Sequence, residues 1–182
     1  MTFNSGQRLK ASDLDANMPQ LLGSTVLTAN AANMPITIPA GYNHLEAIYT
    51  ARKSVGGGGG FVWLQFNGDN AAHYQWENQI GNGAPGTSGA SLVTFIQVGL
   101  LAGSSDIAGY FASGRITVGN ISSTSAAKTV DATSTLVCSG TTYYKAMFGG
   151  VWNQAAAITQ VTLIPDAGAF VAGSSLSIYG WG

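Results

Sequence analysis

The chain has 182 residues, enough for one domain that buries roughly 70% of the surface its unfolded form exposes, so a core needs no disulfide or metal staple. Hydrophobic residues make up 46% and charged residues only 8%, with seven basic and eight acidic side chains and a net charge of −1. That balance excludes a disordered chain, which needs low hydrophobicity or high net charge. It also excludes a basic stripe able to neutralise a run of phosphates, so no nucleic-acid partner is expected.

In chain order, residues 1 to 23 come first and read differently from the rest. Ser12 followed by Asp13, Leu14 and Asp15 has the form of an N-cap with acids in the first turn, and Pro19 ends the short helix that this would start. One or two helical turns do not stand alone in water. Leu9, Leu14, Met18, Leu21 and Leu22 therefore need a surface to dock on, either the domain behind them or another protein of an assembly. The opening residues lack the basic and then apolar segments of a secretory signal, and no run of about 18 apolar residues occurs, so neither export nor membrane insertion is expected.

From Ser24 onward the pattern is that of strands. Segments 45–52, 61–66, 92–98, 115–118, 158–164 and 176–179 are short, rich in β-branched and aromatic residues, often alternating, and bounded by Gly, Pro or Asn. Further strands are predicted at 25–28, 35–38, 130–138 and 143–152, eight to ten in all, without a long amphipathic helix between them. The expected fold class is all-β, an antiparallel β-sandwich of jelly-roll type with a short N-terminal helical anchor segment, divided as 1–23 anchor and 24–182 sandwich domain. The Gly56–Gly60 run reads as a flexible hairpin tip. The segment 67–89 reads as the longest irregular stretch, and such stretches are usually functional.

Signs of chemistry are few. Gly81-Asn-Gly-Ala-Pro-Gly86 has the spacing of a dinucleotide loop, but Pro85 and Gly89 stand where a helix should open. No nucleophile elbow, phosphate loop or His-Glu-x-x-His helix occurs, and the two histidines, His44 and His73, have no suitably spaced metal-ligand partners. Asp69 and Glu77 would make a carboxylate pair for a glycosidase, although Asn67-Gly68-Asp69 has the look of a tight turn. The lone Cys138 allows no internal disulfide and reads as a small buried apolar residue. Asn120-Ile-Ser122 has the glycosylation spacing without a secretion signal to support it. No cofactor, no metal and no enzymatic activity are expected. His73, Tyr74 and Trp76 beside Glu77, Asn78 and Gln79 combine stacking faces with hydrogen-bonding groups, which suits a carbohydrate or protein partner; alternating Tyr74 and Trp76 equally suit the inward face of a strand.

Three stretches together resemble a family of small bacteriophage virion proteins, the minor structural or tail proteins. Phe3-Asn-Ser-Gly-Gln-Arg-Leu-Lys-Ala-Ser-Asp-Leu-Asp-Ala-Asn17 resembles the N-terminal segments of tail-fibre and minor tail proteins. His44-Leu-Glu-Ala-Ile-Tyr-Thr-Ala-Arg52, Leu64-Gln-Phe-Asn-Gly-Asp69 and His73-Tyr-Gln-Trp76 are similar to the strand, turn and aromatic strand of these modules. Ile158-Thr-Gln-Val-Thr-Leu-Ile-Pro-Asp-Ala-Gly-Ala-Phe170, with Ala172-Gly-Ser174 and Leu176-Ser-Ile-Tyr-Gly180, is the closest part of the match. The Gly56–Gly60 run and the ending Trp181-Gly182 depart from the family pattern.

The resemblance implies a non-enzymatic virion surface protein, assembled in the host cytoplasm, usually a homotrimer. Its place would be a tail fibre or tail tip contacting a host surface glycan or protein; the alternative is a capsid-decorating or head-fibre protein, and a remote one is a polysaccharide-degrading enzyme. On this reading Leu9, Leu14, Met18, Leu21 and Leu22 anchor the chain to other virion proteins, and Asn67, Asp69, His73, Tyr74, Trp76, Glu77, Asn78 and Gln79 contact the host. The stretch from Ala132 to Gly182 carries only Lys145 and Asp166 as charges, which favours burial in a homo-oligomer, although strands using Ser and Thr outside would look the same.

Overall fold

Alternation of apolar and polar residues decides which side of each strand meets the core. The computed structural model describes residues 18–57, 59–83, 85–139 and 142–182 and has twelve strands and no helix among them. They are β1 (Gln20–Val26), β2 (Met34–Thr37), β3 (His44–Ala51), β4 (Gly60–Phe66), β5 (Tyr74–Gly81), β6 (Pro85–Val93), β7 (Ile96–Leu101), β8 (Ala112–Gly119), β9 (Lys128–Ser139), β10 (Thr142–Trp152), β11 (Gln160–Pro165) and β12 (Ser175–Trp181). All strand pairs are antiparallel, in an eight-stranded sheet ordered β1-β12-β3-β8-β9-β10-β5-β6 and a four-stranded sheet ordered β2-β11-β4-β7. The two sheets face each other as a β-sandwich.

Between them lie Leu45, Ala47 and Tyr49 of β3, Leu176 and Ile178 of β12, Ile116 of β8, Ala132 and Leu136 of β9 and Phe148 of β10. They meet Val62, Leu64 and Phe66 of β4, Val98 of β7 and Leu163 of β11. At the centre, the fully buried Tyr49 hydroxyl sits 2.8 Å from Ser134 Oγ and donates to the Leu100 carbonyl at 3.2 Å. The ring fits only because two neighbours lack side chains: a Cβ on Gly99 or on Gly114 would collide with it.

The N-terminal helical anchor is not supported. Leu9 and Leu14 lie outside the described residues. Leu21 and Leu22 belong to strand β1, which pairs with β12 from Gln20 opposite Gly180 to Val26 opposite Ser175. The expected boundary at residue 23 therefore falls inside a strand. The cause is tertiary: β12 presents an open edge, and Leu22 packs against the core over Gly180, whose missing side chain leaves room for it.

The expected irregular stretch 67–89 is mostly a hairpin. Tyr74, Trp76, Asn78 and Ile80 point inward and Gln75, Glu77 and Gln79 outward from β5, which pairs with β10 on one side and β6 on the other. The pattern is concealed because one inward residue is polar: buried Asn78 donates from Nδ2 to Gln97 Oε1 across the sandwich and accepts from Ser88 Oγ at 3.1 Å. The expected strand 92–98 is broken at its start, since Leu92 is the extra residue of a β-bulge at φ 55° and the chain turns before β7.

The described glycines of the run do not form a free tip. A Cβ on Gly57 would come within 2.6 Å of Ser105 Cβ, and one on Gly60 would strike the Lys53 ammonium, which is itself buried against Asp166 at 2.7 Å. Arg52 fixes the facing loop by donating to the carbonyls of Ser104, Asp106, Ile107 and Tyr110.

Candidate functional site

The parity of β5 divides the residues that the sequence groups together. Tyr74 is fully buried, and its hydroxyl accepts from the Phe66 N–H at 3.1 Å and reaches the Asp69 carbonyl at 3.1 Å. Trp76 is half-buried against the core, and its indole Nε1 is buried without a hydrogen-bond partner among the described residues. Asn78 is buried in its cross-sheet bond. These three face the interior. Glu77 and Gln79 face the opposite way, into solvent.

Asn67, Asp69 and His73 cluster at the end of β4, where they hold the turn together. Asn67, at φ 55°, accepts the N–H groups of Thr159 and Gln160 at 2.8 and 3.1 Å and donates to the Ala157 carbonyl at 2.8 Å. Asp69 accepts from Trp152 Nε1 at 2.7 Å and from the Ala71 N–H at 3.0 Å, and its Oδ2 lies 2.9 Å from His73 Nδ1. Desolvation raises the Asp69 pKa, but the hydrogen bonds from Trp152, Ala71 and His73 and the nearby imidazole charge outweigh it, so the carboxyl sits below its ordinary value. Asn67 and Asp69 are thereby occupied by the fold, while the His73 side chain, held through Nδ1, stays 42% exposed. Gly60 begins β4 at its other end, and Gly59 beside it lines a small cavity with Ile80.

The open surface of the eight-stranded sheet is what the sequence conceals. On the face turned away from the four-stranded sheet, β9, β10, β5 and β6 place Asp131, Gly149, Glu77 and Gly89 side by side in one transverse row. The adjacent rows are Thr133, Met147, Gln79 and Thr87 on one side, and Thr129, Val151, Gln75 and Ser91 on the other. Around the glycines the surface sinks into two adjoining open depressions of about 630 and 690 Å³, both lined by Glu77, Gly89 and Gly149. Glu77 leans over Gly89, whose Cβ would lie 2.9 Å from its Cγ.

Glu77 and Asp131 form no ion pair or side-chain hydrogen bond among the described residues. Strand spacing sets their backbones about 9.6 Å apart across Gly149. Arg115, on the same face, is paired with Glu46. The trough therefore offers carboxylates, amides and hydroxyls beside the exposed Met147, with no cation in its lining. Among the described residues no three His, Cys, Asp or Glu side chains converge as metal ligands, and Cys138 is buried, its thiol pKa raised by desolvation and by the Asp106 charge.

Of the trough residues that the sequence reading passes over, only Gly149 carries a signal: a Gly-Gly pair inside a strand-forming stretch, where glycine weakens a strand and marks a close approach. Compared with protein-family models, with curated proteins and with solved structures, the chain finds no match in any of the three.

Proposed function

We propose that the chain is a non-enzymatic structural protein of a bacteriophage virion, a surface module of the tail fibre or tail tip that works as a homo-oligomer and contacts the host. The observation that carries this reading is the strand order. Without the added hairpins β5–β6 and β9–β10, the sheets reduce to β1-β12-β3-β8 and β2-β11-β4-β7, the interleaving of a jelly roll, an architecture found in viral capsid and lectin domains. The resemblance of the three quoted stretches to phage tail proteins supports the same assignment.

The surface fits an assembling module. Ile48, Leu92, Tyr143 and Met147 are each more than 40% exposed, and β6 is a nine-residue sheet edge without a charged side chain. Natural edges are protected by charge, proline or a bulge; this one has no charge, and the stretch between its first residue, Pro85, and the bulge at Leu92 is open to a further chain. A cryo-EM map of the particle tests the reading: density for this fold at the tail is the expected result. Density on the head would replace the tail assignment with capsid decoration, and absence from the particle would end the virion reading.

A further inference from the structure

Gly149 stands inside β10, a strand paired on both sides. The glycines next to it, Gly150 along the strand and Gly89 in the same transverse row, have a packing reason. A Cβ on Gly150 would meet Ile96 Cγ2 at 2.5 Å and the Gln75 carbonyl at 2.8 Å, and one on Gly89 would meet Glu77 Cγ and the Trp76 carbonyl at 2.9 Å. At Gly149 there is nothing within 4 Å of the position a Cβ would take, and its φ is not in the left-handed region. Any residue would fit the fold there. Glycine in a strand interior is unfavourable, and where no neighbouring protein atom requires it, close approach by another molecule is the remaining physical reason.

We propose that the trough over Gly149 binds a neutral or amine-bearing saccharide, held between the carboxylates of Asp131 and Glu77. Unpaired carboxylates accept two hydroxyl donors each and make the stronger, charge-assisted kind of hydrogen bond. Gln75 and Gln79 flank Glu77 at every second position of β5, about 6.7 Å away on either side, and add amide donors and acceptors along the strand. Met147, 55% exposed beside Gly149's row, supplies the apolar contact that a sugar's C–H face needs. Two negative groups and no cation in the lining select against phosphorylated or carboxylated sugars. Among the described residues no third His, Cys, Asp or Glu side chain joins the two carboxylates to complete a metal site, so the sugar hydroxyls or amines themselves bridge the gap.

The inference rests on the surface-module reading for the source of its ligand, a host envelope glycan. The full chain is titrated calorimetrically with hexose oligosaccharides of one length in neutral, N-acetylated, amine-bearing, carboxylated and phosphorylated forms. Binding of a neutral, N-acetylated or amine-bearing member, with the anionic ones at least tenfold weaker, is the expected result. Gly149→Phe, which fills the trough, and Glu77→Gln are each expected to lower affinity at least tenfold with no fall in melting temperature. Should Gly149→Phe not fold, the exposed pair Glu77→Gln with Asp131→Asn decides the matter by the same tenfold loss. The proposal is overturned if no member binds, if anionic members bind as well, if these variants bind like the parent, or if new reducing ends show that the trough cleaves its ligand. Antibody labelling of particles separates the two readings: labelled particles whose protein binds no saccharide defeat this proposal alone, and saccharide binding by a protein absent from particles defeats the virion assignment alone.

Discussion

At the scale of single residues, glycine has opposite meanings in this molecule. Gly99 is a hole filled by the Tyr49 hydroxyl, so Gly99→Ala overpacks the core and is expected to cost about 1–3 kcal/mol. Gly149→Ala puts a methyl group into open space and is expected to stabilise by about 0.5–1 kcal/mol. Urea unfolding of the two variants checks the contrast, and equal effects would refute it. Asp69 shows how a polar residue that resembles a contact group is consumed by the fold. Asp69→Asn leaves either the Trp152 indole or the Ala71 N–H without its acceptor, an expected loss of about 1–3 kcal/mol. Host adsorption by the surviving folded protein should be unchanged, and reduced adsorption would return Asp69 to the contact surface.

Strands with an apolar inward face were legible in the sequence; those with mixed inward faces were not. β3, β4 and β12 were readable because Leu45, Ala47 and Tyr49, or Val62 and Leu64, or Leu176 and Ile178, alternate against polar or half-exposed positions. β5 hid behind Asn78, whose buried amide has its partner in β7, a pairing that no local pattern reveals. β6 hid in its Gly, Ser and Thr content, and β1 in the signature of a preceding helix cap. The candidate site was half legible for the same reason. Glu77 and Gln79 were singled out with their neighbours, but Asp131, Gly149 and Met147 reach them only through strand pairing. The bulge in β6 leads to a further expectation. Leu92 holds a left-handed backbone and is 73% exposed, two costs that the lone subunit does not offset. Leu92→Asn should stabilise the isolated subunit by about 1 kcal/mol while weakening self-association. Denaturation and light scattering on one preparation check both signs, and a variant that still scatters as the parent oligomer, a trimer on the present reading, rules out Leu92 as an interface residue.

For the molecule as a whole, titration sets limits to stability at both ends of the pH scale. Asp69 has a lowered pKa when folded, so its contribution is complete above the ordinary aspartate value of about 3.9 and is lost as pH falls through the folded one. Tyr49 and Tyr74 behave oppositely: burial raises both phenols, so their contribution is complete below about pH 10 and disappears as pH rises beyond it. Lys128 works against the tyrosines. Its ammonium is buried, donates to the Ser123 and Ala126 carbonyls, and has its pKa lowered by desolvation, so its cost is relieved as pH climbs towards about 10.4. Thermal melts from pH 2 to 12 should show an acid loss below about pH 4 and an alkaline loss above about pH 10. Lys128→Met should flatten the rise just below the alkaline loss, and an unchanged profile would mean that the ammonium is better solvated than its surroundings imply.

The pairing of β1 with β12 also has a mechanical meaning. Gln20 lies opposite Gly180, so chain entering β1 and chain leaving β12 emerge side by side. Tension between those two ends meets the ladder at its margin and opens it one hydrogen bond after another, at low force. Tension between the start of β1 and a ligand gripped on β10 and β5 runs across the strands, because Gln20 shares one transverse row with Gly150 and Trp76, so it pulls along the inter-strand hydrogen bonds and again loads the ladder first at the margin of β1. A module tethered ahead of β1 would therefore shed that strand from β12 first, whether pulled by its two ends or by a target held in the trough.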